Sequence, residues 1–237
     1  MKKICALFLV LVTVFACAGA CAEDILFQGL KWESHPKEFI KKLGNGTEVI
    51  ENDVIGPRWE GVKTDMYFNL ERENYMLTAW TDKPTGHTVA IENLYGSGLD
   101  ICGHKFEKAK AYFRYAVDKE GNVIRDFKKS KMYMVRVEIV TGHPEEEYED
   151  LKKKLAELYG EGKEKIEDIS GKTTTSDGVS TPFERKLTRY TVQGSNKATI
   201  LMETYTNNGV CYSLILYYVE KGADKRLDAL VETMAKE

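Results

Sequence analysis

Met132-Tyr133-Met134-Val135-Arg136-Val137-Glu138-Ile139-Val140 passes through Thr141-Gly142 into His143-Pro144-Glu145-Glu146-Glu147-Tyr148-Glu149-Asp150-Leu151, and on through Leu155 and Leu158 to Gly160. Tyr133, Val135, Val137 and Ile139 fall on one side of a period of two, opposite Arg136 and Glu138, so the first half reads as a strand. Tyr148, Leu151, Leu155 and Leu158 then recur every three or four residues, the period of a helix with one apolar face. His143-Pro144 opens that helix, the three glutamates suit the positive end of its dipole, and Gly160 stops it. A strand leading into an amphipathic helix, in a chain otherwise full of strands, defines an α+β fold with antiparallel sheet and about three packed helices.

Working toward the N-terminus, Phe106 to Val117 alternates in the same way, with Ala109, Ala111, Phe113, Tyr115 and Val117 against Lys108, Lys110, Tyr112 and Arg114. Glu120-Gly121-Asn122 turns it toward Val123 to Phe127. Ile25 to Leu30, Thr47 to Ile55, Trp59 to Leu70, Tyr75 to Trp80 and His87 to Leu94 also read as strands. A short helix carries His35 as cap, Pro36 at its first position, Glu38, and Phe39, Ile40 and Leu43 on one face, with Gly44 as its stop. Toward the C-terminus, strands are expected over Lys165 to Ile169, Phe183 to Val192, Ala198 to Tyr205 and Val210 to Val219, with Asn207-Asn208-Gly209 as a hairpin turn. Gly171 to Thr181 is polar and reads as a mobile hairpin loop. Leu227, Leu230, Val231 and Met234 make the last helix amphipathic.

The two helix entries echo each other. Ser34-His35-Pro36-Lys37-Glu38-Phe39 with Leu43-Gly44 parallels Gly142-His143-Pro144-Glu145-Glu146-Glu147 with Leu158-Tyr159-Gly160. This suggests two tandem β-α-β-β-β units, 23–130 with an inserted hairpin built from Phe106 to Phe127, and 131–237, packed as one compact domain. Asp24-Ile25-Leu26-Phe27-Gln28-Gly29-Leu30-Lys31-Trp32 resembles the mature start of a group of uncharacterised secreted proteins from anaerobic gut-type bacteria. Gly103-His104-Lys105, Ala111-Tyr112-Phe113, Met132-Tyr133 and Tyr148 to Gly160 extend the likeness, which departs at Glu33, where the group has Gly. The tandem arrangement is similar in topology to β-lactamase inhibitor proteins and to small outer-membrane assembly lipoproteins, and topology alone imports no activity.

Residues 1–22 give an address. Lys2-Lys3, the apolar run Ile4 to Phe15 and the small residues up to Ala22 are laid out as a bacterial secretory signal peptide, too short for a stable membrane span. Ala20-Cys21-Ala22 fits ordinary cleavage before Glu23, whereas Ala18-Gly19-Ala20-Cys21 can be read as a lipobox that would acylate Cys21 and anchor the chain. Secretion, or attachment to the cell envelope, is the expectation. Loss of Lys2 and Lys3 leaves 32 of the 34 basic side chains against 37 acids, a net charge of −5. Lys152-Lys153-Lys154 follows directly on a run of acids, so nucleic acid is not an expected partner and a membrane enters only through Cys21.

The mature chain keeps Cys102 and Cys211, which an oxidising exterior would allow to pair, or which act as two small apolar groups. No nucleophile elbow, phosphate loop, dinucleotide fingerprint or complete metal-ligand set is present, so no catalytic residue, metal or cofactor is assigned. Cys102-Gly103-His104 has no second Cys/His pair to complete four ligands. Gly96-Ser97-Gly98 reads as a turn and Asn45-Gly46-Thr47 as a loop. Glu203 with Glu220, or Asp65 with Glu71, would act as general acid and base only if the fold brings their carboxyls together. Thirteen tyrosines stand above background. They suit a half-buried sheet first and a recognition surface second, and Tyr217 and Tyr218, neighbours on one strand, are the candidate binding pair. Two functions stay open. One is a non-catalytic binder of a protein or peptide partner through a sheet face or edge, and the other a hydrolase of cell-wall or dietary polymer with carboxylates from distant strands.

Overall fold

The computed structural model describes residues 28–43, 49–55, 84–94, 97–139, 141–174, 178–193 and 198–237. The expected strands Trp59 to Leu70 and Tyr75 to Trp80, and all of residues 1–22, lie outside them. The fold is α+β. Eight strands form one antiparallel sheet in the order β1 (Val49–Ile55), β2 (Pro84–Ile91), β5 (Lys108–Arg114), β8 (Lys131–Ile139), β14 (Val210–Glu220), β13 (Ala198–Asn207), β12 (Arg185–Gln193), β9 (Lys163–Asp168). Three two-stranded ribbons are appended: β3 (Asp100–Ile101) with β4 (His104–Lys105), β6 (Ala116–Val117) with β7 (Val123–Ile124), and β10 (Gly171–Thr174) with β11 (Ser180–Phe183). The helices are α1 (Pro36–Leu43), α2 (Pro144–Tyr159) and α3 (Ala223–Met234), none long and apolar enough to cross a membrane.

The sheet order corrects the expected units. Read outward from the central β8–β14 pair, one half is β8, β5, β2, β1 and the other β14, β13, β12, β9. Each half is therefore a helix followed by four strands, α1-β1-β2-β5-β8 and α2-β9-β12-β13-β14. β8 pairs with β5 on one side and with β14 on the other, and it is the symmetry of the strand order that groups it with the first half. Lys108–Arg114 is likewise an integral strand, and only β6–β7 is an excursion. Residues 28 and 29 form a turn, so the expected Ile25 to Leu30 strand does not extend over them.

The period of two is what gives the sheet two covered faces. On one face Val89, Ala111, Phe113, Val137, Leu216, Tyr218, Met202 and Tyr190 form a core with Phe39 and Leu43 of α1 and with Tyr148, Leu151 and Leu155 of α2. On the other, Tyr112, Met134, Leu201, Ile215 and Tyr217 pack with Ala223 and Leu227 of α3. A bulge lets both Tyr133 and Met134 join this second face: Tyr112 pairs with Met134 and Phe113 with Met132, with Tyr133 as the extra residue between them. Gly86 lies against that region, where a Cβ would come within 1.8 Å of the Phe113 carbonyl oxygen.

The entries to the helices follow the sequence. At α1 the His35 amide donates to Glu38 Oε2 at 2.9 Å and His35 Nδ1 donates to the Ser130 carbonyl at 2.9 Å. Glu38 thus supplies the reciprocal half of a capping box. His143 precedes α2 with no side-chain cap bond. Asn208 and Gly209, both at positive φ, make the two-residue turn between β13 and β14.

Candidate functional site

A polar cluster around His104 joins the two halves. The β3–β4 ribbon turns at Cys102 and Gly103, both at positive φ, and the Gly103 amide donates to Asp100 Oδ1. It delivers His104 to a flank of α2 where Glu147, Asp150 and Lys154 share one stripe. His104 Nδ1 lies 2.9 Å from Glu147 Oε2, and Nε2 lies 2.7 Å from Asp150 Oδ2. Lys154 Nζ binds the same Asp150 oxygen at 2.6 Å and donates to the Cys102 carbonyl at 2.8 Å. Lys154, then His104, hold the Asp150 carboxyl below its ordinary range.

Both imidazole nitrogens face carboxylates, and Nε2 also lies 3.4 Å from Lys154 Nζ, so three charged side chains surround the ring. The His104 side chain is only 11% exposed, which leaves a substrate little access to either nitrogen. Among the described residues, no group of three or more His, Cys, Asp or Glu could hold a metal ion. The cluster is a clasp that pins a ribbon of the first half to the helix of the second. Partners separated by more than forty positions made it invisible to motif reading, and Glu147 and Lys154, which open helix flanks lead one to place in water, are half-buried by it.

Other residues singled out by sequence are not brought together. Cys21, Asn45, Asp65 and Glu71 lie outside the described residues. Cys102 and Cys211 are thiols and not a disulfide. Cys102 sits beside Lys154, whereas Cys211 lines an open cleft of about 280 Å³ with His143 and Glu145 at the other end of α2. Some 14 Å of helix axis separate those two ends, about twice the Cα reach of a disulfide. Burial pushes the Cys211 thiol up, away from the thiolate that acts as a nucleophile. Glu203 and Glu220 sit against different arginines. Buried Arg189 holds Glu203 at 2.6 Å, and Arg226 and Arg114 hold Glu220 at 3.1 and 3.7 Å.

Tyr217 and Tyr218 belong to the core. Tyr217 and Tyr218 do point to opposite faces, but each is only about 1% exposed, because α3 covers the first and α2 the second. Neither can form a recognition surface, which corrects that expectation. Tyr112, Tyr115, Tyr133, Tyr190 and Tyr205 are buried as well, the packing role that half-buried sheet predicts for them.

What is open to a partner is the outer strand β9, Lys163-Glu164-Lys165-Ile166-Glu167-Asp168, exposed along nearly its whole length, with Ile166 63% exposed at its middle. Its register with β12 runs unbroken from Lys163↔Thr191 to Asp168↔Lys186, and the same register continues through Gly171↔Phe183 to Thr174↔Ser180. Gly171 to Thr181 is therefore largely a paired ribbon, with β10–β11 prolonging β9–β12, and not the expected loop. The Ile169 amide donates to the Arg185 carbonyl at 2.9 Å. Antiparallel bonding alternates, so Lys163, Lys165 and Glu167 bond inward to β12, while the N–H and C=O groups of Glu164, Ile166 and Asp168 point outward. Beyond Asp168 the edge closes on itself, since Asp168 Oδ1 accepts from the Ser170 amide. On the α2 side Glu164 is already bound by Lys152 and by the Tyr148 hydroxyl, the latter at 3.0 Å.

No protein-family model matches the chain, and no curated protein or solved structure was found similar to it.

Proposed function

We propose that this is an exported, non-catalytic binding protein that takes up an extended segment of a partner along β9. The observation that carries the reading is the row of outward backbone donors and acceptors on Glu164, Ile166 and Asp168, centred on an exposed Ile166. A strand added there gains main-chain hydrogen bonds for affinity and places every second side chain against Ile166 for selectivity. Natural edges are blunted by charged side chains, proline, bulges or a covering element; β9 is charged at every position but Ile166, yet it has an unbroken register and no proline, so its backbone groups stay in line for a strand of matching charge. Export rests on the layout of residues 1–22, with Cys21 as the anchor if the lipobox is used. The hydrolase alternative needs carboxylates converging on open space, whereas Glu147 and Asp150 converge on His104.

Ile166→Pro removes only an outward N–H, leaving the inward amides of Lys165 and Glu167 in the ladder. The test is capture of exported host proteins by immobilised wild-type and Ile166→Pro protein, quantified by mass spectrometry, with the fold checked by circular dichroism. A partner held by wild type and lost from a folded Ile166→Pro protein supports the reading. Equal capture by both contradicts it.

A further inference from the structure

The sequence of β9 also specifies what strand fits it. We propose that a second copy of this chain pairs with β9 about a two-fold axis at Ile166, an inference that rests on reading β9 as a binding edge. In an antiparallel pair the outward-bonding residues of one strand must meet outward-bonding residues of the other. Placing Ile166 opposite the Ile166 of a second copy does this, with Glu164 facing Asp168 on either side and about six interchain backbone bonds. A two-fold interface requires the patch to be self-complementary, and this register is.

Side chains favour this register at the axis and on the face opposite α2. On the α2 face the two isoleucines, each 63% exposed in the single chain, bury one another at the axis. On the opposite face Lys165 stands directly across from the second copy's Glu167, and the reverse, in a non-hydrogen-bonded position where side chains approach closest. Within one chain Lys165 Nζ already lies 2.5 Å from Glu167 Oε1, so pairing closes a ring of four alternating charges. The like-charged Glu164 and Asp168 that meet in this register are each compensated at home. Lys152 and Tyr148 bind Glu164, and Ser170 binds Asp168. Shifting the register by two residues sets Ile166 against Glu164, so the isoleucines no longer meet.

Sedimentation across a concentration series tests this with three variants. Wild type is expected to pass from monomer to dimer. Lys165→Glu, which sets acid against acid at both crossed positions, is expected to weaken association about tenfold, and Lys165→Glu/Glu167→Lys to restore it. Ile166→Pro is expected to stay monomeric. A wild type that is monomeric throughout, or a double variant that associates no better than Lys165→Glu, overturns the proposal. A monomeric wild type that still captures a host partner in an Ile166-dependent way removes the second copy alone and leaves the edge reading standing. Loss of both removes both.

Discussion

Leu155 and Lys153 lie two positions apart on α2 and have opposite surroundings: Leu155 is buried against the sheet and Lys153 is exposed. Leu155→Ala should therefore destabilise by about 2–5 kcal/mol, and Lys153→Ala by less than about 0.5 kcal/mol, both read from urea denaturation midpoints. Similar midpoints would mean that the helix is wrongly phased. Glu164 makes a second residue-scale test. Its bond from Lys152, then that from Tyr148, hold its carboxyl below the ordinary value of 4.5. A carboxyl lowered in the folded state stabilises where it is ionised, so that contribution is complete above about pH 4.5 and lost as the pH falls further. Glu164→Gln should thus be less stable than wild type at neutral pH, and the gap should narrow on acidification below that point. A gap that stays constant to acid pH would show that the lowered carboxyl contributes nothing.

At the scale of elements, the β10–β11 ribbon has nearly every described side chain exposed and buries almost nothing. Replacing residues 170–184 by Asn-Gly, so that the hydrogen-bonded pair Ile169 and Arg185 closes a two-residue turn, should change stability by no more than about 1 kcal/mol. Loss of the cooperative transition in this variant would show that the ribbon braces the sheet. The ribbon also shows where sequence reading stops. Period two exposed β5 and β8, and period 3.6 with Pro and Gly punctuation exposed α2 almost to the residue, because those signals are local. Gly171 to Thr181 was polar enough to resemble a loop, although its β-branched threonines favour extended backbone. That β9 is an edge, that β8 belongs to the first half and that His104 meets Glu147 and Asp150 all depend on the order of strands across the sheet, which no local pattern encodes. Alternation along a strand sets Tyr217 and Tyr218 on opposite faces. Only the cover supplied by α3 and α2 tells that both faces are dry there.

On the scale of the whole molecule, the two four-strand halves share one sheet through β8 and β14, whose pairing runs from Val219↔Met134 to Leu214↔Ile139. Val135, Val137, Leu214 and Leu216 from this seam lie in the core that both α1 and α2 cover, and the His104 clasp adds a polar tie. Far-ultraviolet and tyrosine signals should therefore give coincident unfolding curves, as for one cooperative unit. Two resolved transitions would mean that the halves fold separately. The central claim, that β9 is an edge poised to receive a strand, is tested most directly by residue-resolved amide hydrogen exchange over 163–168. In dilute protein Lys165 and Glu167 should be protected, and Glu164, Ile166 and Asp168 should exchange fast. Under conditions of association, the same three amides should become protected. Uniform protection along β9 in the dilute protein, or amides of Glu164, Ile166 and Asp168 that stay fast once a partner is bound, would contradict it.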